Sequence, residues 1–315
     1  MIKISFKLKD IIRISIPVFL LIMFLILTGC TSQQKEASVA EDKVLNIACT
    51  IPPEEEFIRA IGGDRVNVTL MVPPGASPHT FEPTPSQITA LESADLYIAL
   101  GSGIEFENRW LSKIKKMYPD LKIINGSERI MLLPNTPHHH EEEENDHHEE
   151  EAEEEGPTDP HVWLSPKNAA VIVNATCDAL SDLKPELKEE FSHNRDIYLD
   201  ELGALDTSIR KSLDNIPSRT ILVYHPAFGY FCRDYNLTQL SIEENGHEPT
   251  GKGIGEVISD AKAANITLVF SEPESSQQGA VTLAKEINGT VVMISPLSGD
   301  YLKNMQHIAD SIARK

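Results

Sequence analysis

Short runs of apolar, often β-branched residues alternate along most of this chain with longer stretches whose apolar positions recur every three to four residues. The runs at 44–49, 66–72, 95–100 and 122–125 predict strands in the first half, and those at 220–224, 237–242, 266–271 and 290–294 predict strands in the second. Helical periodicity falls between or after them, notably at 85–91, 253–264, 276–287 and 300–313. Thr84 and Pro85 supply an N-cap and a first-turn proline for the first of these. Such alternation implies parallel sheets covered by helices on both faces, hence an α/β protein of two similar lobes.

The middle of the chain has a different rhythm. Ser165 and Pro166 open a helix that runs to about residue 183. Pro185 starts a second, continuing to about 214, with Leu187, Phe191, Ile197, Leu202, Leu205, Ile209 and Leu213 at helical spacing. At 1.5 Å per residue it would be about 45 Å long, a rigid spine joining the lobes. The expected domains are 44–183, a linking helix at 184–214, and 215–315. A rigid spine predicts small lobe motions rather than wide hinge closure.

The start of the chain reads as targeting. Lys3, Lys7, Lys9 and Arg13 precede an apolar run over 14–27, shorter than the ~20 residues of a comfortable membrane span. The run ends in Leu27-Thr28-Gly29-Cys30, the pattern of a lipoprotein cleavage box. Residues 1–29 are expected to be a signal peptide, and Cys30 to carry the lipid that anchors the body outside the membrane. An uncleaved membrane helix is the alternative. Residues 30–43 are polar and small and read as a flexible tether.

Charge changes the picture only once it is localised. Residues 138–155 hold five histidines and eleven carboxylates with no Lys or Arg; without them the net charge of −20 becomes −9. No basic face suggests nucleic acid. Cys49, Cys177 and Cys232 are too few and too scattered for a disulfide framework, and no Cys-x-x-Cys occurs. The 138–155 run cannot bury enough surface to offset its ordering entropy, so it is expected to be disordered. Its His138, His139, His140, His147 and His148 among carboxylates suit weak metal collection, with a solvated acidic linker as the plain alternative.

Three histidines sit in loop-like settings. In an α/β lobe, ligands bind beyond the carboxyl ends of the strands. His79 follows a predicted strand through Pro73-Pro74-Gly75, and His225 and Glu272 come directly after strands. His161 lies in a loop stiffened by Pro157, Pro160 and Pro166. Gathered at one point, three neutral imidazoles would bind a borderline transition-metal ion, most readily zinc. Binding should then weaken below about pH 6 as imidazoles protonate. His193 and His307 fall on predicted helices and should be solvated, while His247 lies in a polar loop that could reach the site.

The segments Pro78-His79-Thr80-Phe81-Glu82-Pro83-Thr84, Asp159-Pro160-His161-Val162-Trp163-Leu164 and Tyr224-His225-Pro226-Ala227-Phe228-Gly229-Tyr230-Phe231 carry a resemblance. The chain resembles the solute-binding lipoproteins of zinc and manganese ABC importers, especially the zinc-uptake (ZnuA-type) branch. The resemblance implies two α/β lobes joined by one long helix. It also implies His79, His161 and His225 as ligands of transported Zn(II), with Mn(II) less favoured. Further implications are a membrane permease as partner, an extracytoplasmic lipid-anchored monomer, and no enzymatic activity. The acidic His-rich insertion is typical of zinc members. One departure stands out: where the family often has a carboxylate ligand, this chain reads Ile294-Ser295-Pro296-Leu297-Ser298. The fourth position is left to water first, or to Glu272, a residue of the insertion, or Asp300. Rival readings are a manganese- or iron-binding relative or surface adhesin of the same family. More remote is a zinc hydrolase, which would need Glu82 or Glu272 as its base.

Overall fold

The computed structural model describes residues 43–134, 158–243 and 250–314. The signal peptide, Cys30, the tether up to residue 42, the 138–155 run with its five histidines, and His247 lie outside the described residues. Among the described residues no helix is long and apolar enough to cross a membrane.

The first lobe contains β1 (Leu45–Cys49), α1 (Pro52–Gly62), β2 (Val66–Leu70), α2 (Pro85–Ala90), β3 (Leu96–Ala99), α3 (Glu105–Met117) and β4 (Lys122–Asn125). Two helices follow, α4 (Pro166–Leu183) and the spine α5 (Lys188–Ser212). The second lobe contains β5 (Thr220–Val223), α6 (Gly229–Tyr235), β6 (Thr238–Ser241), α7 (Gly251–Ala263), β7 (Leu268–Ser271), α8 (Gln277–Glu286) and β8 (Thr290–Met293), and the chain continues into α9 (Tyr301–Ile312).

Both sheets are wholly parallel and share one topology, β2-β1-β3-β4 in the first and β6-β5-β7-β8 in the second. The predicted strands are present, each trimmed by at most two residues at an end. In each lobe the chain leaves the first strand for one side and returns on the other, so β1/β3 and β5/β7 flank a crevice of the kind that binds ligands. Central strands are apolar throughout because helices cover both faces; Leu96, Tyr97, Ile98 and Ala99 of β3 are all buried. The predicted caps form: the Thr84 hydroxyl accepts from the Gln87 amide at 3.3 Å, and that of Ser165 accepts from Asn168 at 3.1 Å.

The spine is shorter than its periodicity predicts. Pro185–Leu187 winds as a 3₁₀ turn before α5 begins. The residue ahead of a proline is pushed out of the helical region, and Lys184 sits at φ −135°, ψ 73°. The 25 residues of α5 span about 38 Å.

The lobes are not separate packing units. One continuous core runs from Ile47 and Ile98 through Phe191, Leu202 and Ile209 of the spine to Phe228, Phe231 and Phe270, and closes with Tyr301, Met305 and Ile308 of α9. A smaller cluster around Leu222, Val269, Ala280 and Leu283 fills the far side of the second sheet. Buried hydrogen bonds tie the halves together: the Trp163 indole N–H donates to the Pro296 carbonyl at 2.7 Å, and the Tyr301 hydroxyl donates to the Trp163 carbonyl at 2.7 Å. Replacing Trp163 with Phe removes the donor to a buried carbonyl and leaves a small void. We expect a loss of about 2 kcal/mol, read as a lower urea midpoint with unchanged slope.

Candidate metal centre

His79 sits in the irregular loop between β2 and α2. Its turn is closed by the Thr80 and Phe81 amides donating to the Ser77 carbonyl at 3.1 and 2.9 Å. His161 precedes a 3₁₀ turn over Val162–Leu164 and is buried between Pro160 and Trp163. His225 leaves the end of β5 beside the crevice, and Glu272 leaves the end of the adjacent β7.

Each ring is oriented the same way. Nδ1 of His79 lies 2.6 Å from Glu105, that of His161 2.7 Å from Asp159, and that of His225 2.7 Å from Glu243. A carboxylate can only accept, so each Nδ1 carries the proton and each Nε2 is left as a lone pair. The three lone pairs then point at one another. Nε2 of His161 is 3.4 Å from that of His79 and 3.1 Å from that of His225. Ring centroids are 4.8–5.5 Å apart, with planes inclined by 55° to 80°. Zinc–nitrogen bonds of about 2.0–2.1 Å in a tetrahedron separate neighbouring nitrogens by about 3.3 Å. The arrangement therefore fits one tetrahedral cation with one open position.

The cavity in front of the rings holds about 190 Å³ and is lined by Ser77, Trp163, Glu272, Glu274 and Leu297 besides the imidazoles. Burial lowers His161 to about 4 despite the opposing hydrogen bond to Asp159. Its Nε2 lone pair thus stays available in mildly acidic solution. Burial also pushes the Glu272 carboxyl up to about 8. One Glu272 oxygen accepts from the Ser275 hydroxyl at 2.9 Å, and Oε1 is buried without a hydrogen-bond partner.

Of the residues singled out in the sequence, His79, His161 and His225 come together. They form the one group of three or more potential ligands among the described residues whose donor atoms lie within 4.8 Å of one another. Glu272 reaches the cavity wall but stays outside that group. Asp300 is exposed and pairs with Lys303 at 2.7 Å. Glu82 is exposed and pairs with Arg109 at 2.7 Å. His193 and His307 lie on exposed helix faces. The orienting carboxylates Glu105 and Glu243 escaped sequence reasoning, because each meets its histidine only through the fold. Asp159 carried a local signal, two residues before His161 in a proline-held turn.

Fold and site together define a two-lobed α/β protein with a three-imidazole cation site in the cleft. The chain belongs to the family described as zinc-uptake complex component A, periplasmic, which matches residues 47–315. It is 33% identical over 284 residues to the zinc-binding protein AdcA of Streptococcus pyogenes, covering 87% of this chain and 54% of that protein. It is 32% identical over 277 residues to the zinc-binding lipoprotein AdcA of Streptococcus pneumoniae, covering 87% and 53%. The chain thus spans about half the length of these curated relatives. Among solved structures, the crystal structure of ZnuA superposes with a TM-score of 0.77 at 34% identity, over 86% of this chain and 98% of that one. The periplasmic zinc-binding protein TroA of Treponema pallidum shares the fold, with a TM-score of 0.73 at 21% identity over 85% and 98%.

Gly229 abuts the Asp159 carboxylate: a Cβ there would overlap Oδ2. Gly229→Ala should displace the group that orients His161. We expect zinc affinity, measured by chelator competition, to fall about 10–100-fold with the fold retained.

Proposed function

We propose that this chain is the extracytoplasmic solute-binding component of a metal ABC importer, which captures Zn(II) between its lobes and hands it to a membrane permease. The observation that carries this reading is the convergence of three Nε2 lone pairs, each aimed by a carboxylate behind its ring. Lone pairs facing one another at such distances repel unless a cation lies between them. His79, His161 and His225 are the ligands in this reading. Glu105, Asp159 and Glu243 raise the basicity of the rings and balance the charge of the ion. Water takes the fourth position, with the unpartnered Glu272 oxygen in the wall to accept its proton. A nitrogen-rich set with few oxygens favours zinc over manganese.

The same reading makes the protein a carrier rather than a catalyst. Glu82, one of two carboxylates a hydrolase would need as base, is exposed and held by Arg109. Lobes at 44–183 and 215–315 flank the helical link at 184–214. Cys30 is the lipid anchor; the leader and cleavage box support this, as does the name lipoprotein borne by the pneumococcal relative. The histidines of 138–155 act as a weak auxiliary collector. Support comes from the bridge between Pro134 and Thr158, which brings both ends of that segment close to His161 in the chain.

Single replacement of His79, His161 or His225 by Ala should each weaken zinc binding by about 100-fold or more in chelator competition, since three ligands are too few to lose one. Unchanged affinity in all three variants would end the proposal. Glu272→Gln separates the candidates for the fourth position. A loss below about tenfold fits water in that place, and a loss like that of the histidine variants assigns the carboxylate to the metal.

A further inference from the structure

We infer that Arg109 is a positioning residue for His79 and sets the rate at which the bound ion leaves; this rests on the zinc-binding reading above. The three imidazoles are not held with equal firmness. The side chain of His161 is 6% exposed, that of His225 14%, and that of His79 24%. His161 is braced by the Trp163 and Tyr301 hydrogen bonds of the shared core, and His225 directly follows a central strand. His79 instead rides on a loop with no strand or helix of its own between residues 71 and 84.

That loop is pinned at two places. At its start, the Gln87 amide donates to the carbonyls of Leu70 and Met71 at 3.1 and 2.7 Å. At the histidine itself the holding groups come from α3. Glu105 and Arg109, one helical turn apart on that helix, face the loop together. Glu105 takes the ring Nδ1–H. The Arg109 guanidinium donates to the carbonyls of His79 and Phe81 at 3.3 and 3.1 Å and to Glu82 Oε1 at 2.7 Å. An exposed ion pair such as Arg109–Glu82 adds little stability by itself. A planar fork that reaches two backbone carbonyls and a carboxylate of one short loop does something else. It fixes the path of residues 79–82, and with it the place from which the ring reaches the ion. A lysine ammonium cannot span the same three acceptors.

Losing that fork should leave the other two imidazoles in place and raise the chance that His79 swings off. Affinity differences within one site reside mainly in dissociation, so the effect belongs to release. The test compares the zinc-loaded full chain with its R109M and R109K variants by stopped-flow transfer of zinc to an excess of a chromophoric chelator. R109M should release zinc about tenfold faster with association changed less than about twofold, and R109K should fall between it and wild type. The melting temperature of the metal-free protein should shift by less than about 2 °C, since only an exposed contact is lost. Equal release rates overturn the inference. So does faster release accompanied by a large fall in melting temperature, which would mean general loosening. If R109M does not fold, R109K decides: faster release supports the inference and an unchanged rate sinks it. Hydrogen exchange of the Thr80 and Phe81 amides in metal-free protein gives a readout that needs no zinc. Faster exchange in the variants supports the inference and unchanged exchange overturns it. A wild-type chain that takes up no zinc would count against the proposed function, while the exchange result would still decide the role of Arg109.

Discussion

Three imidazole lone pairs aimed at one point are an unfavourable thing to build without a cation, and the rest of the molecule is organised to hold them there. Each ring is fixed by a carboxylate at its far nitrogen. Those carboxylates come from the first turn of α3, from the turn before His161, and from the end of β6. Orientation is therefore settled in the protein before any ion arrives, which lowers the ordering cost of capture.

Holding rings from both lobes in register requires the lobes to keep their places. The shared apolar core does most of this, running through the spine and closing on α9. Trp163 shows how closely frame and site are joined. It packs beside the His161 ring at 5.4 Å between centroids, while its N–H grips the second lobe at Pro296. A protein built this way resists wide hinge opening. Adjustment falls to the loop of His79, which touches this frame mainly through α3. Firm placement of two ligands with a third on a tethered loop reconciles tight capture with eventual release.

The charge of the site follows the same logic. A divalent cation among neutral imidazoles would be poorly compensated in a buried place; the three carboxylates behind the rings supply the balance without displacing nitrogen from the ion. Glu272, raised by burial and lacking a partner for one oxygen, is the group in the wall with unused bonding capacity.

Much of this was legible along the chain. Period-two and period-four patterning located the strands and most helices, because an element buried on both faces or on one stripe must write that burial into its own residues. The loop histidines stood out because prolines and strand ends surround them. Local pattern failed where the deciding contact is distant in sequence. Nothing near Glu105 marks it as the partner of His79, and nothing near Glu243 marks it as the partner of His225. Nor could the sequence say that Glu272 would stop at the cavity wall, or that Pro185 would wind a 3₁₀ turn ahead of the spine. By itself the sequence determined the two sheets, the helical link and the candidate imidazoles, since those depend on periodicity and turn chemistry within a few residues. Only the tertiary structure decided which nitrogen of each ring faces the ion and which ligand is loosely held, since both are set by side chains that folding brings together from remote parts of the chain.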